Sequence, residues 1–183
     1  MIAPADGNRS VSRLPHRLAF VTPWYGNRNG GAEVFCAGLA RALQAAGRPV
    51  EILTTCCRDP FHDWSENHWP EGETVIDGIR VRRFPVRRRN ADRYAHLSGA
   101  LQRDGGLAPD QEEDLLRHSI NSDALCRFIA DHRRDYLFFF LPYLYGTTWF
   151  GVRECLPEHA FLIPCLHNEP FAYLGLMQQM FRR

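Results

Sequence analysis

The sequence predicts a doubly wound α/β domain in which helices cover both faces of a mainly parallel sheet. Short apolar runs without polar alternation recur along the 183 residues, as expected of strands that are buried on both sides. Segments with helical spacing of apolar residues separate these runs, and this alternation is typical of parallel sheets. The composition, 45% hydrophobic and 12% aromatic, also suffices for one packed core.

The first βαβ unit is the clearest part of the pattern. Residues 17–22 (RLAFVT) are a short apolar run that predicts the first strand. A helix is predicted over residues 32–46, where apolar side chains recur at helical spacing until Gly47 ends the helix. The second strand follows at residues 50–55 (VEILTT). The unit has about the 30 residues or more that a βαβ crossover takes, so we expect parallel strands.

A long loop and a hairpin follow the second strand. Residues 56–73 are polar, contain two prolines and are too long for an ordinary connection, so we interpret them as a candidate binding loop. Residues 74–76 and 79–84 are predicted to form a β-hairpin, because Asp77-Gly78 between them has the chemistry of a two-residue turn. Beyond the hairpin the chain is rich in arginine and then acidic, and no element is assigned before residue 122.

The second half of the chain repeats the alternation. The predicted elements are, in order, a helix at 122–132, a strand at 136–141, a helix at 147–155, a strand at 160–166 and a last helix from Phe171 to Arg183. Pro164 weakens the strand at 160–166, because proline cannot donate a hydrogen bond to a ladder. Ligands of doubly wound sheets bind at the carboxyl ends of the strands, so the loops there are the candidate sites.

The remaining sequence indicates one cytoplasmic domain. Residues 1–15 are polar and lack the basic start and apolar run of a secretory signal, so we interpret them as a flexible tail before a domain at 16–183. The longest apolar run, residues 136–145, is about half the roughly 20 residues that a bilayer crossing needs. The six cysteines have no repeating spacing, which favours reduced thiols in a cytosolic protein.

Charge and composition exclude several classes of function. Twenty-two basic and 21 acidic residues give a net charge of +1, so the chain lacks the polycationic character that attracts nucleic acid. Every basic residue is arginine, and the absence of lysine excludes the P-loop, Schiff-base chemistry and pyridoxal phosphate anchoring. The dinucleotide fingerprint G-x-G-x-x-G is also absent, which disfavours a nicotinamide or flavin enzyme.

Two loops carry the candidate chemistry. Gly30-Gly31 comes directly before the first helix, where paired glycines permit close approach of a ligand and the helix start favours phosphate. The alternative is a loop that needs positive φ and binds nothing. Glu33 is interpreted as compensating the helix dipole. The second loop, His167-Asn168-Glu169-Pro170, is predicted just past a strand end, where its imidazole would face the glycine pair or be satisfied within its own loop.

These motifs, taken in order, resemble the N-terminal half of family 4 glycosyltransferases of the GT-B fold. The resemblance covers roughly residues 16–175 and rests on LAFVTPWYGNRNGGAE, an amphipathic helix, VEILTT, IDGIRVRRFPV and HNEP. Its most specific parts are Gly30-Gly31-Ala32-Glu33 and the D-G-I-x-V-x-R-x-P segment from Asp77 to Pro85.

The resemblance implies a fold and an activity. Members of the family transfer a sugar from a nucleotide-diphosphate donor with retention, without a metal or other cofactor, between two Rossmann-like domains. It places Gly30 and Gly31 by the donor diphosphate and His167 against the transferred sugar. The donor-binding C-terminal domain has no counterpart in these residues, so we expect the acceptor-side domain, itself incomplete, and no activity from it alone.

Acceptor recognition then falls to loops of this domain. Trp64 and Trp69 lie in the long loop and suit stacking against sugar rings, although packing over the sheet edge explains them equally well. Glu169 is a further candidate. Three successive arginines could hold an anionic glycan, a lipid phosphate or an anionic membrane surface, or form a solvated face balanced by the acidic residues 110–114. These arginines are Arg87, Arg88 and Arg89.

Two further kinds of ligand, a metal ion and nucleic acid, are not expected from the residues. The cysteines and histidines of the long loop lack the usual spacing of zinc ligands, so no metal is expected. No groove-reading motif accompanies the arginines, so nucleic acid is not expected as a partner. The alternative to a glycosyltransferase is a non-catalytic α/β module with a regulatory or partner-binding role.

Overall fold

The computed structural model describes residues 17–27 and 30–182, so the predicted tail at 1–15 lies outside the described residues. Its strands are β1 (Arg17–Thr22), β2 (Val50–Thr55), β3 (Gly72–Ile76), β4 (Ile79–Phe84), β5 (Tyr136–Phe140) and β6 (Ala160–Leu162). They form one sheet in the order β3-β4-β2-β1-β5-β6. All neighbouring pairs are parallel except the β3–β4 hairpin.

Helices cover both faces of this sheet. They are α1 (Gly31–Ala45), α2 (Ala91–Asp104), α3 (Pro109–Arg117), α4 (Asp123–Asp131), α5 (Gly146–Glu154) and α6 (Gly175–Phe181), with 3₁₀ turns at Pro157–His159 and Pro170–Tyr173. The buried face of α1 packs with Phe20 and Ile52 on one side of the sheet. Ala19, Val21 and Leu53 belong to the core on the other side. Adjacent strand residues thus point into two cores, which explains the unalternated apolar runs.

The predicted α/β architecture is confirmed. β1 and β2 have the bounds that the apolar runs indicated, and α1 between them completes a parallel βαβ unit. The hairpin prediction is confirmed as well, because β3 and β4 pair antiparallel around Asp77 and Gly78, both with positive φ. The strand order reverses between β1 and β5, and the carboxyl ends of these two strands form the crevice in which doubly wound folds bind ligands.

Two predicted elements were wrong in extent. β6 ends at Leu162 instead of residue 166, and the carbonyl of Pro164 accepts a hydrogen bond from the backbone N–H of Tyr143 in a loop. The predicted last helix begins as a 3₁₀ turn, and α6 follows only from Gly175 to Phe181. Its predicted final residue, Arg183, lies outside the described residues. β6 ends before residue 166 because Pro164 has no N–H to donate to the strand ladder.

Two helices were not predicted. α2 and α3 occupy the charged stretch before residue 122, where the apolar residues of their buried faces, such as Leu97 and Leu101 in α2 and Leu115 and Leu116 in α3, lie among charged side chains. Their ends nevertheless carry ordinary signals: the Asn90 side chain accepts from the Arg93 N–H, Gly105 ends α2 in the left-handed region, and Pro109 opens α3.

A polar network crosses the sheet near the amino ends of its strands. The buried carboxylate of Glu51 accepts hydrogen bonds from Arg82 Nε at 2.9 Å and from the Tyr136 hydroxyl at 2.7 Å. Arg17 Nη1 donates to the same hydroxyl at 3.3 Å. The network therefore joins side chains of β4, β2, β5 and β1 on one face.

Candidate functional site

The glycine pair before α1 has no conformational reason to be glycine. Gly30 has φ −146° and ψ 153°, an extended conformation that any residue adopts, and Gly31 is the first helical residue. Within the part of the chain that the structure describes, and apart from its chain neighbours, a Cβ added to either glycine would meet no atom within 4 Å. Positive φ is therefore not what this pair supplies; among the described residues of the loop it occurs at Gly26, at 129°, as the alternative of a positive-φ loop expects. What the pair provides is open space beside the helix mouth.

The start of α1 is electropositive and uncapped by a side chain. Its first backbone hydrogen bond runs from the Val34 N–H to the Gly30 carbonyl, and Gly30 supplies no capping side chain. The N–H groups of the first turn have no acceptor within the helix and carry part of its dipole. A phosphate or carboxylate next to the glycine pair would therefore be attracted.

Glu33 has a larger role than compensating the dipole. Its buried Oε1 accepts a hydrogen bond from the Gly26 N–H at 2.6 Å. This contact ties the first turn of α1 to Gly26 in the loop after β1. The sequence indicated the position of Glu33 but not its burial.

The His167 loop lies at the same edge of the sheet, although His167 follows the end of β6 by five residues. Its side chain is exposed and has no hydrogen bond to other described residues. Ile163, between β6 and this loop, packs against the core that contains Cys36 of α1, and burial raises the pKa of Cys36 to about 12. The loop therefore starts beside the first turns of α1.

Glu169, the acidic residue of this loop, is held among tyrosines. The Tyr143 hydroxyl donates to Glu169 Oε1 at 2.7 Å, and burial together with this carboxylate raises the pKa of Tyr143. Burial also raises the pKa of Tyr145, and the charge of Glu169 adds to this shift. Burial raises the pKa of Tyr94 to about 12, where the charge of Arg89 opposes the shift and that of Glu169 adds to it. All three tyrosines are neutral at neutral pH, and of them Tyr143 donates the hydrogen bond that holds this carboxylate.

Trp64 belongs to an aromatic cluster at the crevice. Its ring lies edge-on to Tyr94 at 5.2 Å and to Tyr145 at 5.7 Å between centroids, and the Arg89 guanidinium lies 4.8 Å over it. Trp24 packs against Tyr145 at 5.0 Å. Because neighbouring rings and a cation contact the Trp64 ring, the structure favours the packing interpretation over an open sugar-stacking face.

Trp69 lies in a different environment from Trp64. The Arg83 guanidinium lies 5.1 Å over its ring, and His68 contacts the ring edge at 4.7 Å. Its backbone N–H donates to the Cys56 carbonyl at the end of β2. The structure therefore brings Trp69 to the glycine-loop side of β4, next to the buried Arg83, which is the arginine of the D-G-I-x-V-x-R-x-P segment.

The three successive arginines do not form one basic patch. Arg87 pairs with Asp123, Arg89 is mostly buried against aromatic rings and lies 3.6 Å from Asp63, and Arg88 is exposed. Arg93, which belongs to the same predicted basic face, is the arginine that the acidic stretch 110–114 balances, since Asp114 accepts from Arg93 at 2.7 Å. Of the three, Arg88 alone presents its charge to solvent.

Asp59 and His62 form a hydrogen-bonded pair that the sequence analysis missed as a pair. His62 Nδ1 donates to Asp59 Oδ1 at 2.7 Å, and the Phe61 N–H donates to the same oxygen at 2.9 Å. Asn27 Nδ2 adds a 3.4 Å contact from the loop after β1. Although burial would raise the pKa of Asp59, the hydrogen bonds and the His62 charge lower it to about 2. The spacing D-x-x-H was the available signal.

This lowered pKa predicts an acid-dependent stability. The ordinary pKa of Asp59 is 3.8, so its stabilisation is fully present above that value and is lost as the pH falls through about 2. We expect the free energy of unfolding of Asp59→Asn to be lower than that of the parent chain at pH 7, with the difference shrinking between about pH 5 and pH 2. Urea unfolding at a series of pH values measures it. A difference that stays constant down to pH 2 would contradict the assignment.

The fold and these loops define a doubly wound α/β protein with an open glycine loop at the mouth of its first helix. Protein-family models, curated proteins and solved structures offer no match to this chain. In the part of the chain that the structure describes, no three His, Cys, Asp or Glu side chains are grouped to hold a metal ion. No helix among the same residues is long and apolar enough to cross a membrane.

Proposed function

We propose that this chain is the acceptor-side domain of a retaining glycosyltransferase of the GT-B type. Such an enzyme moves a sugar from a nucleotide-diphosphate donor to a glycan, lipid or other acceptor. The observation that supports this function best is the glycine pair at the mouth of α1, which neither the backbone conformation nor the packing requires. Close approach of a ligand to the helix start supplies the missing reason.

In this proposal the diphosphate lies against the first turn of α1. The N–H groups of that turn and the helix dipole offset its negative charge, and no lysine is needed. Glu33 stabilises the loop from Gly26, so the glycine pair is fixed before the donor arrives. His167, exposed in the loop beside α1, donates or accepts a hydrogen bond at the transferred sugar. A second domain would supply the nucleotide-binding residues, so this chain alone binds a donor weakly and transfers nothing.

The acceptor is proposed to contact the rim of the same crevice. Arg88 is the exposed arginine there, and it suits an anionic group on a glycan or lipid. An enzyme that acts at the cytoplasmic face of a membrane would use Arg88 for peripheral contact with anionic lipid. Nucleic acid is not proposed as a partner. Trp64 and Arg89 instead support the crevice from within.

Gly31→Ala tests the proposal with little risk to the fold. The new methyl group meets open space and alanine is the better helix former, so we expect the free energy of unfolding to be unchanged or raised by up to about 1 kcal/mol. The same methyl group blocks the diphosphate, so we expect donor affinity to fall by about tenfold or more, roughly 1.4 kcal/mol. Backbone amide NMR during titration with UDP-, GDP- and ADP-sugars measures donor binding, both at the glycine pair and at the His167 loop.

Gly38→Ala is the matched control. Gly38 also lies in α1 with open space at its Cβ position, but two turns from the helix mouth. It is expected to gain similar stability and leave donor binding unchanged. In the parent chain, the shifted amides are expected at residues 30–33 and 165–169. No saturable shift with any nucleotide-sugar would contradict the glycosyltransferase and favour the non-catalytic α/β module instead.

A further inference from the structure

A cavity separate from the crevice between β1 and β5 lies next to the loop after β1, on the side of the β3–β4 hairpin. It has a volume of about 290 Å³, and its walls include Gly26, Trp69, Gly72 and Arg83. Liquid water takes about 30 Å³ per molecule, so the cavity has room for a small organic acid or one sugar ring. Gly72 lies opposite Arg83 in the β3–β4 hairpin, and a Cβ there would meet nothing within 4 Å.

Arg83 brings a buried positive charge to this cavity. It continues the alternation of Ile79 and Val81 onto the α1 face of β4, and only 5% of it is exposed. Nη2 donates to the Tyr25 carbonyl at 2.8 Å. Nε has no hydrogen-bond partner, and no carboxylate of residues 17–27 or 30–182 forms an ion pair with this guanidinium. Burial lowers the pKa of Arg83, as expected for a cation removed from water without a counter-charge.

Trp69 forms a wall of the cavity beside Arg83. The Arg83 guanidinium lies over its ring, and this cation–π contact offsets only part of the desolvation. Arg83 Nε and Trp69 Nε1 both lack an acceptor among the described residues, but neither atom is accessible to solvent, so a molecule in the cavity does not reach them. The group that meets an anion there is the outer end of the Arg83 guanidinium, which lines the cavity without a carboxylate partner among the described residues.

The charges around the cavity select the kind of acceptor. Glu71 and Glu73 lie at its rim, and Glu73 is held by Arg82 at 2.8 Å on the opposite face of the hairpin. One buried cation beneath an acidic rim favours a monoanion over a phosphate dianion, because the second negative charge would meet repulsion without a second cation. The planar guanidinium also matches the geometry of a carboxylate.

We propose that this cavity binds the carboxylate group of a small acid, with Arg83 as its ion-pairing partner and the Trp69 ring as the adjoining wall. The site is separate from the glycine pair and does not depend on sugar transfer. Its carboxylate comes either from a simple organic acid or from a uronic acid, in which the sugar ring fills the rest of the cavity.

The indole N–H signals of the protein report on this site directly. We expect the Trp69 signal to shift saturably during titration with sodium acetate and with sodium glucuronate at constant ionic strength. Glucose, phosphate and chloride are expected to give no such shift. The Trp149 signal is the internal control, because its Nε1 is also buried without an acceptor in the described chain but lies beside Arg153, away from the cavity. Tighter binding of glucuronate identifies a sugar acid, and equal binding identifies the carboxylate alone.

Two variants separate binding from structure. Arg83→Met removes an unpaired buried charge, so we expect it to fold at least as stably as the parent chain and to bind the carboxylates more than about tenfold less tightly. Arg83→Lys keeps the charge and the Trp69 signal but loses the planar fork, and an affinity loss of about fivefold is expected. If Arg83→Met does not fold, the parent titration and Arg83→Lys decide the question.

Three results would overturn the proposal. One is a Trp69 shift that chloride or glucose reproduces at the same concentration. Another is the absence of saturation with either carboxylate in the parent chain. The third is an affinity of folded Arg83→Met equal to that of the parent chain, which would leave Arg83 with a structural role in holding Tyr25.

Discussion

Replacing Gly146 by alanine is expected to lower the free energy of unfolding by about 3 kcal/mol. Gly146 opens α5, directly after the loop that carries Tyr143 and Tyr145. A Cβ at this position would lie 2.6 Å from the Leu116 carbonyl oxygen and 3.1 Å from that of Ile120. Backbone oxygens cannot rotate away as a flexible side chain does, so α3 and α5 would have to separate. Urea unfolding followed by circular dichroism measures the loss.

Gly99→Ala provides the control for this substitution. Gly99 lies inside α2, where a new Cβ would meet only the end of the Arg103 side chain at 3.2 Å. Because that side chain can move, the variant is expected to be stabilised by up to about 1 kcal/mol. Equal stability of the two alanine variants would show that α5 has room that the structure does not indicate.

Replacing Glu33 by alanine has the second largest expected effect. The variant leaves the Gly26 N–H without its 2.6 Å acceptor and opens a buried position, so we expect a loss of about 2 kcal/mol in the free energy of unfolding. Glu33→Gln retains an amide oxygen and is expected to lose less. Hydrogen exchange at the Gly26 amide provides a local measurement, with faster exchange in Glu33→Ala.

An exposed carboxylate in another helix serves as the comparison. Glu113 pairs with Arg117 at 3.0 Å on the surface of α3, and its replacement by alanine is expected to change stability by less than about 0.5 kcal/mol. If Glu33→Ala lost no more than Glu113→Ala, the loop after β1 would be held by other contacts and the role given to Glu33 would be refuted.

The parts of the fold that the sequence predicted well are those where burial leaves a direct pattern. β1 and β2 are apolar on both faces, so their ends coincide with the ends of the apolar runs. In α2 and α3 the apolar residues of the buried faces lie among charged side chains, and the caps of these helices, such as Asn90 and Gly105, are single residues that also occur in ordinary turns. Charge runs therefore concealed two helices.

The candidate site was predictable in position but not in detail. The glycine pair and the His167 loop were placed at the carboxyl edge because topology decides which strand ends meet. Burial of Arg83 was also readable in principle, since Ile79, Val81 and Arg83 alternate on one face. Arg82 and Arg80 beside it made the segment resemble a solvated one. Pairings across the chain, such as Arg87 with Asp123, depend on packing of distant segments and leave no local pattern.

The polar network around Glu51 also explains how this sheet avoids misalignment. Strands that are apolar on both faces tolerate a one-residue shift in register better than amphipathic strands, because both faces remain apolar after the shift. In this sheet such a shift of β2 would turn the Glu51 carboxylate onto the apolar face shared with Phe20 and α1, and away from Arg82 and Tyr136. The hydrogen bonds of one buried carboxylate thus favour a single register of β4, β2 and β5. That register also sets the relative positions of the loops at the opposite edge of the sheet.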